Sequence, residues 1–206
     1  MAQISALFWD NGGVILTNGW DIGSRREAVR KFHLDGDDFE SRHELMLDAF
    51  ERGRVTLDEY LLRTVFYRER PFTLEEFKEF IYSQSQPLPE SLAVLGCLAA
   101  GKRYLLASLN NESLDLNEYR IHRFHLRDYF QAFFSSCYLG VRKPDPAIYN
   151  LALQITQREP AECVMIDDRG LNLECARELG MHTIQFRDVA RLRDDLARLG
   201  VSADGN

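Results

Sequence analysis

Among its 206 residues the chain has only four cysteines, Cys97, Cys137, Cys163 and Cys175, and no Cys-x-x-Cys pair. A zinc site needs thiolates or imidazoles close enough to surround one ion, so this spacing excludes the common zinc modules. The four thiols read as small hydrophobes in a reducing compartment. Basic residues are also short, 25 Lys and Arg against 32 Asp and Glu, for a formal charge of -7. No Lys/Arg cluster offers a face to a polyanion, which argues against nucleic acid as partner. No apolar run approaches the ~20 residues of a membrane-spanning helix, and no basic-then-apolar leader is present. The expectation is a cytoplasmic protein with no membrane partner. Internal repeats and low-complexity tracts are missing too; only residues 202–206 read as a loose tail.

What is present is an alternation. Hydrophobic residues make up 45% of the chain, enough for a sizeable core in one domain with an insertion or in two small domains. Short apolar runs fall at 4–9, 103–108, 132–136, 163–167 and 182–186, the pattern of strands buried on both faces. Helical periodicity lies between them, as at 89–100, closed by Gly101, and at 170–179, closed by Gly180. The pattern predicts an α/β fold: a Rossmann-like parallel sheet with helices on both faces. Residues 18–88 break the rhythm. They read as wholly helical, with capping boxes at Thr56–Glu59 and Thr73–Glu76, and Pro87 and Pro89 close them off. The predicted organisation is a discontinuous core, 1–17 and 89–206, with a small helical cap, 18–88. The cap aromatics Phe50, Tyr60, Phe66, Tyr67, Phe72, Phe77, Phe80 and Tyr82 read as helical core rather than an interface stripe, so the pattern specifies no oligomeric state.

In an open parallel sheet ligands bind beyond the carboxyl ends of the strands. The residues expected there are Asp10, Ser108, Asp167 and Asp168, with Lys143 following the third strand. Carboxylates gathered on one edge repel one another unless a cation sits among them. Oxygen ligands with room for water suit magnesium, Mg2+. Asn110 and Asn111 are expected to shape a turn and cap the next helix. His122 and His125, one helical turn apart, read as ordinary helix residues for want of a third ligand.

These spaced residues resemble the haloacid dehalogenase (HAD) superfamily, in particular its phosphatase branch with a helical cap after the first strand. Phe8-Trp9-Asp10-Asn11-Gly12-Gly13-Val14 is similar to its first motif and Leu105-Leu106-Ala107-Ser108 to its second. Arg142-Lys143-Pro144-Asp145 is similar to its third and Ile166-Asp167-Asp168 to its fourth. The resemblance implies a magnesium-dependent phosphohydrolase acting on a small phosphorylated metabolite, with Asp10 as nucleophile and an aspartyl-phosphate intermediate. It further implies magnesium between Asp10, the Gly12 carbonyl and Asp168, with Asp167 holding a water on the ion or orienting Lys143. Ser108, with backbone N–H groups around Asn11, Gly12 and Leu109, would bind the phosphoryl oxygens, and Lys143 would offset the charge on Asp10 and the phosphoryl group. Where some relatives carry a further acid after the fourth motif, Asn172 is the nearest polar residue.

One position departs from the family pattern. Most of its phosphatases place an aspartate two residues after the nucleophile as acid and base, worth ~10²–10⁴ in rate. Here that residue is Gly12. Either the leaving group is good, as in a sugar 1-phosphate or acyl phosphate, or another group supplies the proton, or the chain binds phosphate compounds with little turnover. A metal-independent 2-haloacid dehalogenase is the remaining alternative, and the acidic pair Asp167-Asp168 disfavours it. Trp20, Arg25, Arg26 and the acids around Asp48 to Glu51 are the candidates to face the site from the cap, with Trp20 either a pocket wall or an anchor.

Overall fold

In the computed structural model, which describes residues 3–202, five strands form one parallel sheet. They are β1 (Ala6–Trp9), β2 (Leu105–Asn110), β3 (Ala132–Ser135), β4 (Cys163–Asp167) and β5 (His182–Gln185), in the order β3-β2-β1-β4-β5. Strand β1 is central, and its four residues are buried because the pleat sends them alternately to two separate cores. Leu7 and Trp9 pack against α5 (Pro89–Gly101), α6 (Leu114–Arg123) and α10 (Val189–Arg198). Ala6 and Phe8 face α8 (Pro146–Thr156) and α9 (Gly170–Glu178). The sheet is therefore covered on both faces, which is what continuous apolar strands require. A single turn, α7 (Ser136–Leu139), follows β3.

Between β1 and α5 lie four helices, α1 (Ile22–Lys31), α2 (Gly36–Glu51), α3 (Leu57–Thr64) and α4 (Leu74–Ser83). They share a third hydrophobic cluster around Phe39, Leu57, Tyr60, Leu61, Phe77 and Ile81. Both capping boxes form: Thr56 and Thr73 each accept from the backbone three residues on, and Glu59 and Glu76 accept in return. Of the cap aromatics, Tyr67 stands apart from the cluster, its hydroxyl on Asp38 and the Arg42 guanidinium 3.5 Å from its ring centre.

The elements follow the expected order, with local differences. Strand β2 begins and ends two residues later than the apolar run suggests. Its register pairs Ser108 with Trp9, so Ser108 is inside the strand and Asn110 ends it. The C-cap of helix α5 is Lys102, not Gly101; the lysine takes the left-handed conformation (φ 50°). His125 lies beyond the end of α6, also left-handed, rather than within the helix. Of the four free thiols Cys163 and Cys175 are buried, but Cys97 is exposed. Apart from Ser202, the expected tail falls outside the described residues.

Candidate active site

The order β3-β2-β1-β4-β5 makes β1 the point where the chain, having built one side of the sheet, returns to build the other. The crevice beyond such a switch point is the usual ligand site. Asp10 stands there, its backbone N–H donating to the Ile166 carbonyl at 2.9 Å. One of its carboxylate oxygens accepts the Asn11 N–H at 2.8 Å. The Lys143 ammonium lies 3.2 Å from that same oxygen and 2.6 Å from Asp167 Oδ2. Lys143 is 1% exposed and Asp167 not at all. Asn111 holds the Lys143 backbone in place, donating to its carbonyl and accepting from its N–H, both at 2.8 Å.

The two acids of β4 are differently employed. Asp167 also accepts from the Arg169 N–H at 2.8 Å and from the Asn172 amide at 3.1 and 3.0 Å. Its oxygens are thus committed, and its geometry is that of a group orienting Lys143. Asp168 does not cap α9, whose N-cap is Arg169, and its Oδ1 is buried without a hydrogen-bond partner. One oxygen each from Asp10, Asp167 and Asp168 lies within 4.8 Å of the others. An orphaned buried carboxylate oxygen beside a second acid fits a hard divalent cation, and oxygen donors suit magnesium. Gly13 belongs to this arrangement although nothing singled it out in the sequence. It is left-handed (φ 73°), and a Cβ there would collide with Asp168 Oδ2.

Electrostatics agree with that reading. Burial raises the Asp10 carboxyl to about 7, Lys143 opposes the rise, and Asp167 and Asp168 reinforce it. Burial and then Asp167 likewise raise Asp168. Burial pulls the Lys143 ammonium down, but Asp10 and Asp167 outweigh it, leaving its pKa above the ordinary lysine value. A cation among the acids would remove this mutual repulsion.

Asp10, Gly12 and Lys143 line a cavity of about 70 Å³. Trp20 and Asp21 wall it from one side, Glu51 reaches it from the end of α2, and Asn172 and Arg169 come from the α9 side. The side chains of Ser108 and Leu109, the two β2 residues expected at the phosphoryl group, are fully buried. The Ser108 hydroxyl lies 3.1 and 3.0 Å from the side-chain oxygens of Asn11 and Asn110, so it supports the loop from below. Asn110 neither caps nor turns α6; Ser135 donates to it and it donates to Asn117. Trp20 is both wall and anchor, its indole N–H donating to Tyr60 at 3.1 Å. Arg25 is paired with Glu40 at 2.9 Å and Arg26 is exposed; neither lines the cavity. Among the lining residues without a sequence signal are Glu112 and Arg120, a buried pair 2.7 Å apart. Burial raises the Glu112 carboxyl, with Arg120 opposing.

The comparisons with known proteins place this geometry. A family model described as haloacid dehalogenase-like hydrolase matches residues 4–180. Flavin mononucleotide hydrolase 1 of Arabidopsis thaliana is 33% identical over 163 residues, 79% of this chain and 65% of its own length. D-ribitol-5-phosphate phosphatase of Bacteroides thetaiotaomicron is 28% identical over 205 residues, 94% of this chain and 97% of its own. Other curated relatives are far longer, and the chain spans 6–13% of their length. A HAD family enzyme of Bacteroides thetaiotaomicron, solved in complex with magnesium and inorganic phosphate, superposes with a TM-score of 0.75 at 22% identity, over 89% of this chain and 94% of that one. The chain belongs to the haloacid dehalogenase-like hydrolases.

Proposed function

We propose that the chain is a magnesium-dependent phosphohydrolase of small phosphorylated metabolites, sugar or polyol phosphates among them. The observation that carries this reading is the pairing of Asp10, held against Lys143, with the partnerless carboxylate oxygen of Asp168. A metal-independent dehalogenase has no use for that second acid. Asp10, Asp168 and the Gly12 carbonyl would hold the ion, with Asp167 behind them. When bound, it supplies charge that offsets the approach of an anionic substrate to an anionic nucleophile.

The remaining chemistry belongs to the chain's own residues. Asp10 attacks phosphorus, forming an acyl phosphate as the bond to the leaving oxygen breaks. Water then attacks that phosphorus, releasing phosphate and restoring the carboxylate. Lys143 balances the charge on Asp10 throughout, and Asp167 and Asn111 keep it there. The Gly12 N–H in the loop after β1 would bind a phosphoryl oxygen, with the neighbouring Asn11 side chain supported by Ser108.

The small, polar cavity supports a compact substrate. The Arabidopsis relative is a flavin mononucleotide hydrolase by name. A flavin ring far exceeds a cavity of about 70 Å³, and we expect flavin mononucleotide to be turned over at least about tenfold less efficiently than a small sugar phosphate, since a ring left outside the site contributes no remote binding energy. Residues 1–17 and 89–206 serve as the catalytic core and 18–88 as a cap. The cap's separate hydrophobic cluster and the pairing of its two linkers support that division: Thr17 donates to the Gln86 carbonyl and Leu88 to that of Ile15. Among the described residues no helix is long and apolar enough to cross a membrane. Four free thiols and a charge of -7 support a cytoplasmic protein that does not bind nucleic acid.

The test is phosphate release from small sugar and acyl phosphates, with magnesium and with excess chelator. Turnover should require the metal, and Asp10→Asn should abolish it. Equal release in chelator, or by the Asp10→Asn variant, would sink the mechanism.

A further inference from the structure

Gly12 leaves the site without an acid, yet the space beside it is filled. A Cβ at Gly12 would stand 3.0 Å from Asn18 Oδ1 and 3.8 Å from Arg120 Nη1. At Gly19, which is left-handed (φ 71°), a Cβ would collide with Arg120 Nη2. Gly19 thus makes room for the guanidinium, and at Gly12 the same group comes within ordinary contact distance of where a side chain would begin. Arg120 comes from α6, is 2% exposed, and is held by three separate parts of the chain. Its Nε donates to Ser85 Oγ at 3.0 Å, Nη1 pairs with Glu112 at 2.7 Å, and Nη2 donates to the Thr17 carbonyl at 3.3 Å. A guanidinium has five N–H donors, so two remain, one on Nη1 and one on Nη2. Those are the nitrogens that approach Gly12 and Gly19. Glu112 is not the missing acid: one oxygen accepts the Ser113 N–H at 3.0 Å and the other is taken by Arg120. A proton on it would compete with the contact that fixes the arginine.

We propose that Arg120 is a catalytic residue standing where Gly12 provides no acid, its guanidinium stabilising by charge the oxygen that leaves phosphorus, so that the site prefers phosphoryl compounds with acidic leaving groups. The inference rests on the phosphohydrolase reading above. In the first step the bond from Asp10 to phosphorus forms and the bond from phosphorus to the leaving oxygen breaks, its electron pair going to that oxygen. Arginine does not give up its proton in proteins. The oxygen therefore departs as an anion hydrogen-bonded to Arg120 and takes its proton from water. A preorganised donor of this kind is worth about 10²–10³ in rate where the developing charge is large. Its worth falls as the leaving group becomes able to carry the charge unaided.

The experiment measures kcat/KM with magnesium for acetyl phosphate, trifluoroethyl phosphate and ethyl phosphate, whose leaving groups become successively less acidic. The variants are the uncharged pair Arg120→Gln with Glu112→Gln, which leaves no lone buried charge, and Arg120→Lys, which keeps one. Magnesium affinity by calorimetry and melting temperature are followed alongside. The double variant should lose about tenfold or less on acetyl phosphate and about 100-fold or more on the poorest leaving group that the wild type turns over, with magnesium affinity unchanged. Arg120→Lys should recover part of that loss. A uniform loss across the series, or none, overturns the proposal, because a merely structural arginine has no reason to sense the leaving group. Should the double variant fail to fold, Arg120→Lys decides: a loss that grows along the series supports the assignment and an even one overturns it. Wild-type protein inactive on all three with magnesium would instead overturn the phosphohydrolase reading, a result the variants cannot imitate.

Discussion

Gly13 connects backbone geometry to metal chemistry through one missing methyl group. Its left-handed backbone costs a side chain about 1 kcal/mol, and its Cβ position is occupied by the Asp168 carboxylate. Gly13→Ala is therefore expected to displace Asp168 and weaken magnesium binding by about tenfold or more, as disturbing the support of a metal ligand does. Calorimetric titration with magnesium checks this, and unchanged affinity would show that Asp168 is not a ligand. Asp10, Lys143, Asp167 and Asp168 could be picked out in the sequence because each follows a recognisable strand or sits in a recognisable turn. Ser108 was placed at the end of β2, and the strand runs two residues further. An apolar run marks that a strand exists but not which residue ends it, because the ends depend on pairing with neighbours.

At the scale of elements, the helical layer has a polar chain inside its apolar cluster. Trp20 donates to the Tyr60 hydroxyl, which lies 2.8 Å from His43 Nδ1. An indole N–H only donates, which leaves the phenol's own proton available to a neutral His43 imidazole. Burial, and then Arg25, lower the His43 pKa to about 4, while Glu40 opposes. The unfolded chain takes up a proton near 6.5, the ordinary histidine value, and the folded chain does not until about 4. Stability from this site is whole above 6.5 and is lost as pH falls towards 4, by up to about 3 kcal/mol. Urea unfolding at pH 7 and pH 4.5 should show a smaller drop for His43→Gln than for the wild type. Equal drops would mean that the imidazole is not held neutral. The two capping boxes were legible because their signal lies within four residues. The Trp20–Tyr60–His43 chain was not, since its members lie 40 and 17 residues apart and meet only through helix packing.

On the scale of the whole molecule, the helical layer and the sheet are joined by more than their linkers. Leu116 of α6 is fully buried within the layer's hydrophobic cluster. The preceding residue, Asp115, accepts the Leu57 N–H at 2.9 Å and so satisfies the start of α3. Leu116→Ala should cost about 2–5 kcal/mol, the usual range for a cavity in a packed core. The loss should appear in a single unfolding transition by far-UV circular dichroism and tryptophan fluorescence, since Trp9 lies in the sheet and Trp20 in the layer. Separate transitions would show that the two parts unfold independently.

By itself the sequence determined the alternation of strands and helices, the insertion after β1, and the acids and lysine at the sheet's carboxyl edge. Each of these is written in neighbouring residues, as periodicity, capping or a short motif. Only the tertiary structure decided which side chains surround Gly12. Arg120 is 108 residues beyond it, and Glu51, Glu112 and Trp20 reach the same cavity from three other parts of the chain. A buried charge pair such as Arg120 and Glu112 leaves no periodic trace, because its energy depends on desolvation and distance, and both exist only after the helices have packed.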